Sequence, residues 1–493
     1  MIKSSIKKSI LSIFNLCSNH WYFQLFVIVV LASALSPFTK LIYNTFIYLT
    51  VPWGGYLILL MIVKYRPALS FDMKLALLFL MFGSLSVLMS SSEYFLSNGF
   101  VLGFNAVYFF VFFLGAEEGN YTSIRKNYTT IAWILIWWTL LLSSLSILLF
   151  LFKAQGIIEI SHMNYIIGIA MRSAGFIQLV GAYTAVSSLA VSASMSIILS
   201  ITLMLINNKS KKLLIINLIV QIITLAWSNN LTALFALLAS VVVISTASFY
   251  GVCHQRVMRN QAICFIVSAL LGIIVSFLVL GAVQCIAKTG DYYQKDTHLK
   301  QIRFNEQQDI SDSELINEIS KINEDEIVNE SHINNRNEKN NWIRSPEERP
   351  IIGSFATLTG RIRIFEAALQ KWRSRWLLGH SYKGISIEFE SGDETVVYYN
   401  THNGYLSVLL ANGILGFIIF IIFISKFVII AIKRFFSQRY SSLRTGLLAF
   451  IAYTLVYNLS QSQFIMERSL IAFLTFIFMG YVKGIDSLEN EMD

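Results

Sequence analysis

Residues 396–417 read VVYYNTHNGYLSVLLANGILGF, a polar, aromatic stretch that runs directly into an apolar one. Tyr398, Tyr399, His402, Asn403 and Tyr405 sit where water gives way to lipid, a costly place for polar groups unless something uses them. Helix capping by Thr401 or Asn403, with an interfacial aromatic belt, would account for the same residues. The i, i+4, i+7 spacing predicts that Tyr398, His402 and Tyr405 share one helix face. The apolar run from Tyr405 to Ile432 exceeds the roughly 20 residues a bilayer needs, and Asn412-Gly413 interrupts it. A short helix over 402–411 followed by a span over 414–432 satisfies both, and places His402 at the mouth of an active site.

Composition puts the whole chain in the membrane class. Of 493 residues, 55% are hydrophobic and 14% charged, with a mean hydropathy of +0.61, values foreign to a soluble protein of this length. The four cysteines (Cys17, Cys253, Cys264, Cys285) have neither metal-ligand nor redox spacing. Apolar runs at about 20–37, 42–63, 73–90, 99–116, 130–152, 182–206, 212–228, 230–250, 260–286, 414–432, 443–462 and 466–483 predict about twelve transmembrane helices. With residues 1–19 as a retained cytoplasmic tail, short inside segments carry 18 cations and short outside segments 4. That bias obeys the positive-inside rule and predicts both termini in the cytoplasm. The net charge of +9 is then a topology signal and not a nucleic-acid footprint.

This topology divides the chain into a membrane region over 1–286 of about nine spans, a large outside loop over 287–404, and a second membrane region over 405–493 of about three. The loop holds 19 of the 29 acidic residues and 15 of the 38 cations. Residues 288–350 are polar and acidic, with an expected amphipathic helix from Glu314 to Val328. In 356–377, Ile362, Phe365, Leu369 and Trp372 recur at helical spacing among Arg361, Arg363, Lys371, Arg373 and Arg375. This predicts a basic amphipathic helix on the membrane or over a cavity. The outside segment 153–181 is semi-apolar and carries His162 and Arg172. An arginine there calls for an anion: phosphate, Glu159 or lipid headgroups.

No Asp or Glu falls inside a predicted span; Asp72, Glu117, Glu118 and Glu467 lie at edges. This argues against a proton-coupled transporter. Walker A, HExxH and GxSxG motifs are absent. The residues fit a reaction on an anionic, lipid-borne substrate, with arginines for phosphate and a histidine for proton transfer.

Thr401-His402-Asn403-Gly404-Tyr405-Leu406, continuing through Leu409-Leu410-Ala411-Asn412-Gly413-Ile414-Leu415-Gly416, closely resembles the HNxYLxxLxxxGxxG signature of the O-antigen polymerase and O-antigen ligase family. Thr359-Gly360-Arg361-Ile362-Arg363 with Phe365-Glu366-Ala367-Ala368-Leu369, then Leu377-Leu378-Gly379, is similar to the family's GR-plus-helix segment, and Arg172-Ser173-Ala174-Gly175-Phe176 to its RxxGxF element. One departure is Asn229-Asn230, where many members carry Ser-Arg or Thr-Arg. The resemblance covers roughly 165–480.

It implies an all-α, GT-C-like glycosyltransferase at the bacterial inner (cytoplasmic) membrane, with its site facing the periplasm. A polyprenyl-diphosphate-linked oligosaccharide would be the donor. A second lipid-linked glycan (polymerase) or the lipid A core (ligase) would be the acceptor. His402 would be the general base, and Arg172 with Arg361 or Arg363 would bind the diphosphate. Asn403, Tyr405, Tyr398 and Asn230 would contact substrate, with no metal or other cofactor. Polymerisation is the expected activity, ligation the alternative, and a chain-length regulator a further partner. A carrier without chemistry would instead need polar residues spread through many spans, whereas the sequence places them at the outer face.

Overall fold

The computed structural model describes residues 17–65, 70–117, 120–160, 163–171, 177–206, 210–256, 261–294, 355–383, 385–391, 394–398, 401–435, 441–463 and 468–490. Its helices are α1 (His20–Ser33), α2 (Lys40–Phe46), α3 (Thr50–Tyr65), α4 (Phe71–Leu88), α5 (Phe95–Val107), α6 (Tyr121–Leu151), α7 (Val186–Ile206), α8 (Lys211–Ser228), α9 (Leu231–Arg256), α10 (Gln261–Gln294), α11 (Phe355–Arg373), α12 (Gly404–Phe435), α13 (Ser442–Tyr457) and α14 (Leu470–Asn490). Among the described residues ten helical segments are long and apolar enough to cross a membrane, and α1 and α13 are shorter apolar helices. The expected helix Glu314–Val328 and His162 lie outside the described residues.

The chain is a multi-pass membrane protein of mostly helical structure, as expected, with two small antiparallel sheets besides its helices. Gln155–Ile160 (β1), Met163–Met171 (β2) and Ile177–Gly181 (β3) form an antiparallel sheet in the order β1-β2-β3, within the segment read as semi-apolar. Three of the four residues Ile157-Ile158-Glu159-Ile160 are β-branched, which suits a pleated surface better than a helix. Ser146 of α6 accepts a hydrogen bond from Ala182 N at 2.9 Å, and Ser36 donates to Ala182 O at 2.8 Å. These bonds tie the sheet to the ends of α6 and α1. A second hairpin, β4 (Ile387–Ser391) with β5 (Glu394–Tyr398), precedes α12.

The core gathers on α14, most of which is buried, whereas α10 lies at the rim. Between α5 and α6 the chain passes through a π-helical stretch, Tyr108–Leu114. Phe112 there meets Phe473 edge-on at 4.1 Å between ring centroids, and Tyr108 stacks on Phe476 at 5.3 Å. Aromatic pairs of this kind add to the area they bury.

Polar groups are not confined to one face of the membrane. Thr139 of α6 donates to Ser196 of α7, Asn217 of α8 donates to Ser196 and Ser200, and Gln221 donates to Asn217. Ser143 donates to Gln221 and pairs with Tyr183. All are buried. This ladder corrects the expectation of polar residues at one face only. Its members bond to each other, which is how apolar helices in lipid gain adhesion.

Candidate active site

The break predicted at Asn412-Gly413 is present: α12 is interrupted at Gly413, with φ 63° and ψ −172°. The helix before it, however, begins at Gly404 and not at His402. Tyr398 ends strand β5, opposite Ile387, so Tyr398, His402 and Tyr405 do not share a helix face. The cause is local: the Thr-His-Asn-Gly run is turn and cap chemistry, which interrupts helix propagation.

His402 adopts the left-handed conformation, φ 50°, which costs a residue with a Cβ on the order of 1 kcal/mol and persists only where its surroundings enforce it. They do so here. Buried Thr401 Oγ1 donates to Asn403 O at 2.8 Å and pairs with Ser407 Oγ at 2.6 Å. Asn403 caps α12, its Oδ1 accepting from Leu406 N at 3.0 Å, while its Nδ2 donates to Leu459 O at 3.0 Å. Gly404 N donates to Asn458 O and Gln461 O at 2.8 and 3.1 Å. Tyr405 donates its hydroxyl to Leu455 O at 3.0 Å. The capping role weighed from sequence is therefore real, and it holds half-buried His402 in a strained turn against the end of α13.

The loop after α13 is shaped by Asn458, fully buried. Its Oδ1 accepts from Gln463 N at 2.9 Å and its Nδ2 donates to Thr454 O at 2.8 Å. Ser460 donates to Thr232 at the start of α9. Asn229 closes α8 in the left-handed conformation, φ 54°, and Asn230 caps α9 by accepting from Ala233 N at 3.1 Å. The two residues that depart from the Ser-Arg pattern are thus accounted for by the turn.

Of the two arginines on α11, Arg361 is half-buried and stands close enough to Tyr457, the last residue of α13, for its charge to act on the hydroxyl. Arg363 is exposed. The buried face of α11 differs from the expected one: Ile364, Ala367 and Ala368 pack on Ile387, Leu406 and Leu410, with Phe365 and Trp372 beside them, while Ile362 and Leu369 face outward. Sequence period alone selected the bulkier stripe, but close approach to α12 favours the face bearing two alanines.

A clasp fixes α11 relative to α12. Where Gly413 breaks the helix, Ile414 N donates to Trp376 O at 2.9 Å, and His380 N and Ser381 N donate to Leu410 O and Ala411 O at 2.8 and 3.0 Å. Gly379, φ 79°, lies against Gly413 so closely that a Cβ there would fall 2.5 Å from Gly413 N. Tyr382 donates its hydroxyl to Asn412 Oδ1 at 2.8 Å, and Asn98 Oδ1 accepts from Tyr382 N. His380 Nε2 lies 2.8 Å from Lys371 O. Burial pushes the imidazole below its ordinary pKa, with the Arg375 and Lys371 cations adding to the effect and the Lys371 carbonyl opposing it.

Arg172 and Tyr399 lie outside the described residues. Phe150, at the end of α6 beside the sheet, stacks on Trp227 at 4.2 Å, two residues from the α8–α9 turn. Strands β2 and β3, which flank Arg172, therefore stand at the same end of the bundle as Asn230. The structure thus brings His402, Asn403, Tyr405, Arg361 and the Asn230 turn around one end of α13. Arg363, two residues on along α11, is exposed, and Tyr398 ends β5 opposite Ile387. Sequence reasoning missed Asn458 and Tyr457, although the polar run Asn458–Gln463 between apolar helices was a visible signal.

Residues 216–421 match the family model for O-antigen ligase. Over that stretch the chain is similar to the O-antigen ligase family. No curated protein and no solved structure matches the chain. The O-antigen ligase match runs from α8 into α12 and contains Asn230, Arg361, Arg363, Tyr398, His402, Asn403 and Tyr405; Arg172 precedes it.

Proposed function

We propose that this protein is an inverting glycosyltransferase that takes a polyprenyl-diphosphate-linked oligosaccharide at the periplasmic face of the inner membrane and polymerises surface-polysaccharide repeat units. The observation that carries the reading is His402, a titratable side chain held in a strained turn beside an arginine-bearing helix clasped in place. An imidazole has its ordinary pKa close to working pH and suits a general base.

His402 takes the proton of the acceptor hydroxyl as its oxygen forms a bond to the anomeric carbon. The bond from that carbon to the diphosphate oxygen breaks on the opposite face, inverting configuration, and the electron pair leaves with the diphosphate. Arg361 and Arg172 neutralise that developing charge, the role a divalent ion would otherwise fill. Asn403, through its bond to Leu459 O, and Tyr405, through its bond to Leu455 O, position the turn that carries the base. Arg363, exposed on the far side, is the weaker claimant to the diphosphate.

Ligation to the lipid A core is the second reading, and the description of the matched family favours it. The long polar segment 288–350 supports polymerisation. Asn229-Asn230 no longer bears on the choice, because helix capping explains both residues. Purified protein supplied with one polyprenyl-diphosphate repeat unit should yield a ladder of longer glycans that His402→Ala abolishes. A single higher band formed only with lipid A core would establish the ligase. Neither product, from folded protein, would leave a carrier without chemistry.

A further inference from the structure

The loop that captures the His402 turn continues into a cation that the chemistry above does not use. Asn458 O accepts from Gly404 N, Asn458 Oδ1 accepts from Gln463 N, and Gln463 O accepts from Ser469 Oγ at 3.1 Å. Arg468 directly precedes Ser469, whose hydroxyl caps α14 by accepting from Ala472 N at 3.2 Å. The Arg468 guanidinium lies 5.3 Å from the centroid of the Phe100 ring on α5. Arg468 is half-buried, and among the described residues its guanidinium makes neither an ion pair nor a hydrogen bond.

Arginine stays charged at every working pH, and a charge drawn partly out of water calls for an anion. Stacking on a ring fixes the guanidinium plane and leaves its N–H fork open to an oxyanion. The surrounding field favours the same ligand. Three helices, α9, α12 and α14, begin at this loop, tied to it through Thr232, Gly404 and Ser469, and each helix start carries partial positive charge. At the other end of the loop, Tyr457 is fully buried and its hydroxyl has no hydrogen-bond partner. A buried donor in that state is satisfied by a ligand or by water.

Depth separates Arg468 from the cations already assigned. Val101, next to Phe100, packs with Tyr382 and Ala411. Ala411 is seven residues, about 10 Å, along α12 from Gly404. Arg468 therefore meets its ring further toward the membrane interior than the His402 turn. Tyr48 stands 5.4 Å from the same ring and is exposed, so the ring pair reaches the surface of the bundle.

We propose that Arg468 binds the diphosphate of the lipid-linked donor at the phosphate next to the prenyl chain, leaving the sugar-side phosphate to Arg361 and Arg172. This deepens the glycosyltransferase reading and rests on it. The prenyl-side phosphate is the one nearer the bilayer, and Arg468 is the cation on that side of the His402 turn. A phospholipid headgroup offers the same phosphate chemistry, but the bonded loop that joins Arg468 to Gly404 favours the donor.

The test measures binding apart from transfer. Full-length protein in phosphatidylcholine nanodiscs is titrated with a sugar-free polyprenyl diphosphate and, separately, with phosphatidylglycerol, and bound lipid is counted by native mass spectrometry. Wild type and His402→Ala should bind the diphosphate alike. Arg468→Gln should weaken it about tenfold, the effect of losing a charge-assisted hydrogen bond, with phosphatidylglycerol retention unchanged. In the transfer assay Arg468→Gln should raise the donor KM by a similar factor and leave turnover at saturating donor nearly intact, whereas structural damage would lower turnover at every donor concentration. Unchanged diphosphate affinity in Arg468→Gln overturns the proposal. So does an equal loss of phosphatidylglycerol, which would make Arg468 a headgroup contact, or displacement by millimolar inorganic phosphate, which would make it a site for free phosphate. Arg468-dependent binding without any glycan transfer would sink the glycosyltransferase reading alone; transfer with Arg468-independent binding would sink only the role of Arg468. Should Arg468→Gln fail to fold, Phe100→Leu decides: it keeps the cation but removes the ring that orients it, and should weaken the diphosphate about threefold. Unchanged affinity there overturns the proposal as well.

Discussion

At Gly404 the backbone comes so close to Asn458 that an added Cβ would lie 2.4 Å from the amide oxygen, so at this position only glycine lets the turn meet α13. Its neighbour His402 accepts a backbone conformation that glycine would adopt freely. That opposition yields a prediction about strain. His402→Gly should be more stable than His402→Ala by about 1 kcal/mol, while both lose glycan transfer. Thermal unfolding of the two purified variants measures the difference. Equal midpoints would mean that the turn stores no strain and that the left-handed φ has no bearing on function. Thr401, His402 and Asn403 were recognisable from sequence as both cap and site. Their spacing nonetheless pointed to one helix face, because period alone does not weigh the turn and cap chemistry of Thr-His-Asn-Gly, a turn that Asn458 and Gln461 then hold by capturing the amide of Gly404.

Among the elements, α11 and α12 act as a pair because the loop over residues 376–382 replaces the hydrogen bonds that Gly413 breaks. His380 sits within that loop, its pKa lowered chiefly by burial. The folded state therefore binds a proton less readily than the unfolded chain. The contribution of His380 is fully present above the ordinary imidazole pKa of about 6.5 and is lost as pH falls from there through the lowered folded value. Protection of α11 amides against hydrogen exchange should decline on acidification from pH 7.5 to 5.5, and His380→Gln, which keeps a donor but cannot titrate, should flatten that decline. An unchanged slope in the variant would assign the pH effect to another group. The amphipathic character of α11 was legible in its period, but its buried face was not. Ile364, Ala367 and Ala368 win over Ile362 and Leu369 because two small residues let α11 lie close against Leu406 and Leu410.

For the whole molecule, the spans that were read from apolar runs recur as helices, and the structure departs from the expectations in two places. The sheet β1–β3 is one; another is the ladder of Thr139, Ser196, Asn217 and Gln221 inside the bundle. The proposed orientation predicts that reporter fusions after residue 209 report the cytoplasm and fusions after residue 462 report the periplasm. Both fusions reporting one compartment would break the topology, and with it the placement of His402 at the outer face.

The sequence by itself determined that this is a multi-pass helical membrane protein, where its apolar segments fall, that α12 breaks at Gly413, and that the Thr-His-Asn-Gly motif lies at a helix start. These follow from hydropathy and from the backbone preferences of Gly, Asn and Thr, which act over a few residues. Only the tertiary structure decided that His402 is held left-handed by the loop after α13, that Arg361 is half-buried near Tyr457 while Arg363 is exposed, and that Lys426 joins Lys483 on Asp72. Each of these depends on a partner far away in the chain. Burial without such a partner is costly for a polar group, and local sequence does not record which distant group supplies it.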